Sequence, residues 1–163
     1  MMFKLCAVSL LIGLSSLQSA YAHGTGNGSD DGASNSVASE QVLHSGLGTC
    51  LDAAGSSPKV GANVSSYQCH GGSNQQWKFE GNLLVNGSGL CLDISKSDNN
   101  LGVWTCHGGA NQQWALIGGV LRNVGDNKCV DITGSNGASG TNVQAYSCHG
   151  QANQQWGFAP ASN

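Results

Sequence analysis

The chain has 163 residues, of which 9% are charged, with six Lys and Arg against nine Asp and Glu for a formal charge of −3. Beyond Lys4 its cations are Lys59, Lys78, Lys96, Arg122 and Lys128, scattered along the sequence. That scatter excludes the clustered basic surface that neutralises nucleic-acid phosphates or anionic lipid headgroups.

From the amino terminus, Lys4 precedes an apolar run over residues 5–14, and Ala20-Tyr21-Ala22 follows. A charged start, a short apolar stretch and an A-x-A site describe a cleavable signal peptide over residues 1–22. The run is too short to span a bilayer as a helix, so no membrane insertion is expected. Cys6 stands early in the segment rather than after its apolar core, where a lipidated cysteine would stand. The expectation is a secreted protein, extracellular or periplasmic. Residues 23–40 are Gly, Ser, Asn and Asp with almost no large apolar side chain, and read as a flexible leader because so little burial cannot offset ordering entropy.

From Gln41 onward the same pattern is written three times. The first copy holds Cys50-Leu51-Asp52 and then Tyr67-Gln68-Cys69-His70-Gly71, ending in Asn74-Gln75-Gln76-Trp77. The second holds Cys91-Leu92-Asp93 and Trp104-Thr105-Cys106-His107-Gly108, ending in Asn111-Gln112-Gln113-Trp114. The third holds Cys129-Val130-Asp131 and Tyr146-Ser147-Cys148-His149-Gly150, ending in Asn153-Gln154-Gln155-Trp156. The copies run about 41–81, 82–119 and 120–158, inside one domain over 41–159. Short apolar and β-branched runs separated by Gly, Asn, Asp and Ser predict four strands per copy. In the second copy they fall at 83–86, 91–94, 103–106 and 113–117. No stretch keeps a helical period. Twelve strands in three equivalent sets predict an all-β domain with pseudo-threefold symmetry. A bladed propeller has repeats of similar length but typically needs four or more, so a β-trefoil of three four-stranded repeats is the expected fold.

The triplicate Gln-x-Trp, each preceded by Cys-Leu/Val-Asp and aromatic-x-Cys at matching offsets, resembles the ricin B-chain type lectins. The resemblance covers residues 41–158. It implies a β-trefoil that binds glycans or polysaccharides through galactose-like, xylose-like or related sugars, whether in toxins or beside glycoside hydrolases. It also implies the pairing Cys50 with Cys69, Cys91 with Cys106 and Cys129 with Cys148, which the repeat makes the economical choice for an exported chain. Zinc is the competing use of these cysteines, since Cys-His neighbours recur, but adjacent residues rarely converge on one tetrahedral ion. No metal or cofactor is expected.

Each copy supplies a candidate sugar clamp. A carboxylate from Asp52, Asp93 or Asp131 can accept hydroxyl hydrogen bonds with charge assistance. A flat ring from Tyr67, Trp104 or Tyr146 can stack on a pyranose face. An amide from Asn74, Asn111 or Asn153 both donates and accepts. The competing readings are strand packing for the aromatics and turn chemistry for Asp and Asn. Gln75, Gln112 and Gln154 are expected to tie local backbone groups behind the sugar, Trp77, Trp114 and Trp156 to fill the core, and the three histidines to be solvated loop residues.

A glycosidase needs two carboxylates across one bond, whereas the repeat distributes these aspartates over three separate sites, so no enzymatic activity is expected. The alternative is a structural or protein-interacting trefoil subunit of a toxin or enzyme complex whose sugar sites have decayed, with an unidentified partner polypeptide. Two residues before each stacking ring stand Ser65, Gly102 and Gln144. In the family pattern a glutamine there adds a hydrogen bond, so repeat three is expected to bind best, then one, then two.

Overall fold

The computed structural model describes residues 40–161. The signal peptide and all but the last residue of the leader lie outside the described residues. Twelve strands are present: β1 (Gln41–Ser45), β2 (Cys50–Ala53), β3 (Val64–Tyr67), β4 (Trp77–Glu80), β5 (Leu83–Asn86), β6 (Cys91–Ile94), β7 (Leu101–Trp104), β8 (Trp114–Ile117), β9 (Val120–Asn123), β10 (Lys128–Ile132), β11 (Thr141–Ser147) and β12 (Trp156–Pro160). The only helical pieces among the described residues are short 3-10 turns. None of them is long and apolar enough to cross a membrane.

Antiparallel pairs β4 with β5, β8 with β9 and β12 with β1 form the wall of a barrel. Single bridges Val42 to Gln76, Leu83 to Gln113 and Val120 to Gln155 join those pairs around it. Hairpins β2–β3, β6–β7 and β10–β11 cap one end. The all-β trefoil expected from the triplicate pattern is the observed fold. In repeat two the fourth strand begins at Trp114 rather than 113, and the third covers Leu101–Trp104 rather than 103–106. Register sets the third, because Asp93 pairs with Gly102 and Ile94 with Leu101, so an alternating Leu101/Val103 face is buried that an aromatic-centred reading placed two residues late.

The core repeats as the sequence does. Leu43, Leu84 and Leu121 occupy one ring of buried positions, and Leu51, Leu92 and Val130 another. Trp77, Trp114 and Trp156 are 2%, 1% and 3% exposed, and each donates its indole N–H to the backbone of the middle residue of its own Cys-Leu/Val-Asp run, 2.9–3.0 Å away. Each tryptophan thus satisfies its polar atom while burying a large apolar ring. Asn63, Asn100 and Asn142, one per repeat, close a cyclic ring of amide hydrogen bonds of 2.9, 2.6 and 2.8 Å, clamping the three repeats together.

Each repeat is stapled by its own disulfide: Cys50–Cys69, Cys91–Cys106 and Cys129–Cys148, with Cα atoms 5.1 Å apart in each. Closing loops of 15–19 residues restricts the unfolded chain by about 3 kcal/mol per bridge on chain-entropy reasoning. His44 Nδ1 lies 3.6 Å from Cys69 Sγ, but that sulfur is held in a bridge and is not a thiolate ligand. Non-reducing peptide mapping is expected to recover these three bridges, and any bridge between repeats would contradict the fold.

Candidate functional site

The capping hairpins build the same constellation three times. Asp52 on β2 faces Ser65 across the strand pair, while Tyr67 at the end of β3 faces Cys50. Alternation of side chains along a strand puts Asp52 and Tyr67 on one face. The chain then runs through the disulfide into a His-Gly turn, where Gly71, Gly108 and Gly150 share a φ of 69° that suits glycine. A 3-10 turn follows, Ser73–Gln75 in repeat one, and returns Asn74 and Gln75 beneath the aspartate.

Gln75 is wholly buried. Its Oε1 accepts from the backbone N–H of His70 (2.8 Å) and Gly71 (3.2 Å), and its Nε2 donates to Asp52 Oδ2 (2.9 Å) and the Gln68 carbonyl (2.9 Å). Gln112 and Gln154 repeat all four bonds with Asp93 and Asp131. Every hydrogen-bonding position of these amides is used, so the glutamines orient the aspartates from behind and do not reach a ligand.

Asn74, Asn111 and Asn153 each donate Nδ2 to the same aspartate Oδ2, 2.8–2.9 Å away. This corrects the expectation of an amide that both donates and accepts toward a sugar: the donor side is spent internally, leaving Oδ1. Asn153 Oδ1 is buried and has no protein partner, an arrangement that costs free energy unless something else donates to it.

The three histidines are exposed loop residues, as expected, and they also make a contact the sequence did not show. His70, His107 and His149 accept a backbone N–H at Nδ1, from Gly72, Gly109 and Gln151 at 3.1, 3.0 and 3.3 Å. A neutral ring accepting at Nδ1 carries its hydrogen on Nε2, and that nitrogen lies 3.4, 3.5 and 3.3 Å from the Oδ2 of Asp52, Asp93 and Asp131. They thus border the aspartate cradle from the exposed turn. The recurrent Cys-His-Gly was visible in the sequence, but the contact depends on the turn returning to β2.

The result is a carboxylate with one oxygen, Oδ2, gripped by protein donors and the other, Oδ1, left with one such donor or none. Among the described residues no protein group donates to Oδ1 of Asp52 or Asp93, while Gln144 donates to Oδ1 of Asp131 at 3.3 Å. Beside it, Tyr67, Trp104 and Tyr146 are 44%, 48% and 52% exposed, which sets aside strand packing as their main role. Burial raises the pKa of Asp52 above its ordinary 3.8, opposed by the hydrogen bonds from Gln75, His70 and Asn74. Because the folded-state pKa is the higher one, this carboxyl's contribution to stability is fully present below 3.8 and is lost as pH rises through its folded value. Carboxyl-carbon NMR is expected to place its midpoint above 3.8; a midpoint at or below 3.8 would contradict the buried setting.

In repeat two the constellation opens into a concavity of about 370 Å³. Its wall includes Gly61 and Asn63 from the neighbouring repeat's loop, neither of which the triplicate pattern pointed to. Gly61 has φ +85°, and a Cβ there would lie 3.2 Å from Cζ3 of Trp104. Only a bare α-carbon lets that loop pack so closely on the indole, and Gly61 N–H to Val103 O (2.8 Å) holds it there. The sole acid lining this concavity is Asp93.

A family profile described as the ricin-type beta-trefoil lectin domain matches residues 38–156. A designed 3-fold symmetric protein, ThreeFoil, is 35% identical with a TM-score of 0.65, covering 73% of this chain and 96% of its own. The beta-trefoil lectin of the Vibrio vulnificus hemolysin/cytolysin, solved with N-acetyl-D-lactosamine bound, is 26% identical with a TM-score of 0.63, covering 77% of this chain and 98% of its own. The C-half of an earthworm R-type lectin, in complex with GalNAc, shares the fold at 20% identity and a TM-score of 0.68, covering 75% and 98%. No curated protein matches the chain. With its threefold Gln-x-Trp cores, its three disulfide-stapled repeats and a profile match over most of its length, the chain belongs to the family of ricin-type β-trefoil lectin domains.

Proposed function

We propose that this protein is a secreted, non-enzymatic lectin with three sugar sites, one in each repeat. The observation that carries the reading is the aspartate held on Oδ2 beside a half-exposed aromatic ring in all three repeats, with Oδ1 free of protein donors in repeats one and two and braced by Gln144 in repeat three. A structural role alone does not call for an outward carboxylate oxygen next to an exposed ring. A pyranose does, since it offers vicinal hydroxyls to the oxygen and an apolar C–H face to the ring. The contacts are assigned to Asp52, Tyr67 and Asn74, to Asp93, Trp104 and Asn111, and to Asp131, Gln144, Tyr146 and Asn153, with Gln75, Gln112 and Gln154 positioning the aspartates. The bound Vibrio vulnificus and earthworm lectins support sugars of the galactose type, and the disulfides together with the 1–22 segment support export.

For a neutral monosaccharide the sites rank three, one, two. Gln144 braces Asp131, so less orientation entropy is lost on binding there, whereas Gly102 offers Asp93 no side chain. Each site alone is expected at about 10 μM to 1 mM, and retention on a polysaccharide follows from engaging several at once, which raises avidity by about 100-fold or more. A glycan array competed with free sugar tests the reading. Array binding that free sugar abolishes supports it, and no glycan binding would favour a protein-interacting trefoil instead.

A further inference from the structure

Repeat two carries a cationic side chain in the wall of its concavity. The loop between β6 and β7 carries Ser95-Lys96-Ser97-Asp98, and Lys96 lines the same concavity as Asp93, Trp104 and Asn111. The matching loop of repeat three, residues 133–140, has no charged residue, and that of repeat one, residues 54–63, carries Lys59, which does not line this concavity. Among the described residues Lys96 forms no ion pair, the pairs there being those of the three site histidines and of Lys78 with Glu80.

The loop that holds Lys96 is tied down. Ser95 and Asn100 pair through the backbone (2.9 Å), and Ala145 N–H donates to the Asn99 carbonyl (2.8 Å). Lys128 donates to the Asn99 side chain. Asp98, the nearest acid in sequence, is turned back on the loop, where it accepts the Asn100 N–H at 3.1 Å. The one acid in the concavity, Asp93, has its Oδ2 occupied by Asn111 and Gln112 at 2.9 and 2.8 Å. Gly102, where repeat three has Gln144, leaves the floor clear. The site therefore combines a stacking ring, an outward carboxylate oxygen, room above a bare floor, and an ammonium with no carboxylate of its own.

We propose that repeat two selects pyranosides carrying an anionic substituent, a carboxylate or a sulfate ester, with Lys96 as the selecting cation. The assignment rests on the sugar-binding reading above and adds the class of sugar. The ring stacks on Trp104, its hydroxyls donate to Asp93 Oδ1 and Asn111 Oδ1, and the substituent reaches Lys96 at the rim. An exposed pair of this kind is worth up to about 5-fold in affinity and fades with salt.

Trp77, Trp114 and Trp156 are buried, so sugar-induced changes in tryptophan emission report on Trp104 and hence on repeat two alone. The full chain is titrated with methyl galactoside, methyl galacturonide and galactose 6-sulfate, with calorimetry alongside. At low salt one or both anionic sugars are expected to bind about 3- to 5-fold tighter than the neutral one, and which of them does so separates a uronate from a sulfate ester. The preference is expected to vanish in Lys96→Gln and at high salt, while Lys78→Gln, which removes the same charge from β4, keeps it. Equal affinities for all three sugars, or a preference that survives in Lys96→Gln, overturn the assignment and leave the sugar-binding reading intact. No emission change and no heat with any of the three overturn both.

Discussion

Replacing Gln112 by Ala is expected to destabilise the native protein by about 3 kcal/mol, lowering the melting temperature by roughly 10 °C for a domain of this size. The side chain is fully buried, and its removal strands two backbone N–H groups and one carbonyl and takes one hydrogen-bond donor from Asp93 Oδ2. The four bonds are part-buried, so part of the desolvation cost of each group remains. Gln75→Ala and Gln154→Ala are expected to behave alike, because the four bonds are the same in each repeat. Gln151→Ala, an exposed glutamine three residues from Gln154 with no side-chain hydrogen bond among the described residues, is expected to change stability by less than about 0.5 kcal/mol. Urea or thermal unfolding monitored by the buried tryptophans measures all four. Losses in the buried set no larger than that of Gln151→Ala would show that the glutamine cradle contributes nothing.

The aspartate substitutions separate the sites. Asp131→Ala is expected to lower affinity for a neutral galactoside at repeat three by more than about 10-fold, the scale of a charge-assisted hydrogen bond. Asp52→Ala is expected to have a smaller effect on total binding, and Asp93→Ala the smallest, following the order three, one, two. Calorimetric titration gives the number of remaining sites, and a melting curve on each variant keeps loss of binding distinct from loss of fold. Removing Asp131 also leaves Asn153, Gln154 and His149 without their shared acceptor, so some fall in stability accompanies the binding defect. If Asp93→Ala removes most of the neutral-sugar binding while Asp131→Ala leaves it intact, the order is wrong and the brace from Gln144 is not what sets affinity.

These two experiments probe layers of the molecule that were unequally visible beforehand. The fold was legible because it is a repeated solution. A buried Trp must place its N–H, a strand must alternate, and each copy must close on its own disulfide. Three copies of Cys-Leu/Val-Asp, aromatic-x-Cys and Gln-x-Trp therefore specify twelve strands and a trefoil core. The aspartates and aromatics were legible for the same reason, since polar and ring-bearing residues recurring at fixed offsets have a common task.

What the repeat could not convey is everything that depends on which group meets which across space. That the asparagine amide is spent on the aspartate, and that each histidine turns Nε2 to the same oxygen, follows from the 3-10 turn folding back under β2, a contact spanning about twenty residues. That Gly61 and Asn63 of repeat one wall the site of repeat two follows from packing between copies, which no within-repeat pattern encodes. Lys96 was counted from the sequence as one scattered cation, and only its place at the rim of a concavity distinguishes it from the others. The sequence alone determined the architecture and suggested the residue types of the proposed sites, because those are properties of each copy. The tertiary structure decided hydrogen-bond direction, the shape of each pocket and the charge it faces, because those arise only where separate segments meet.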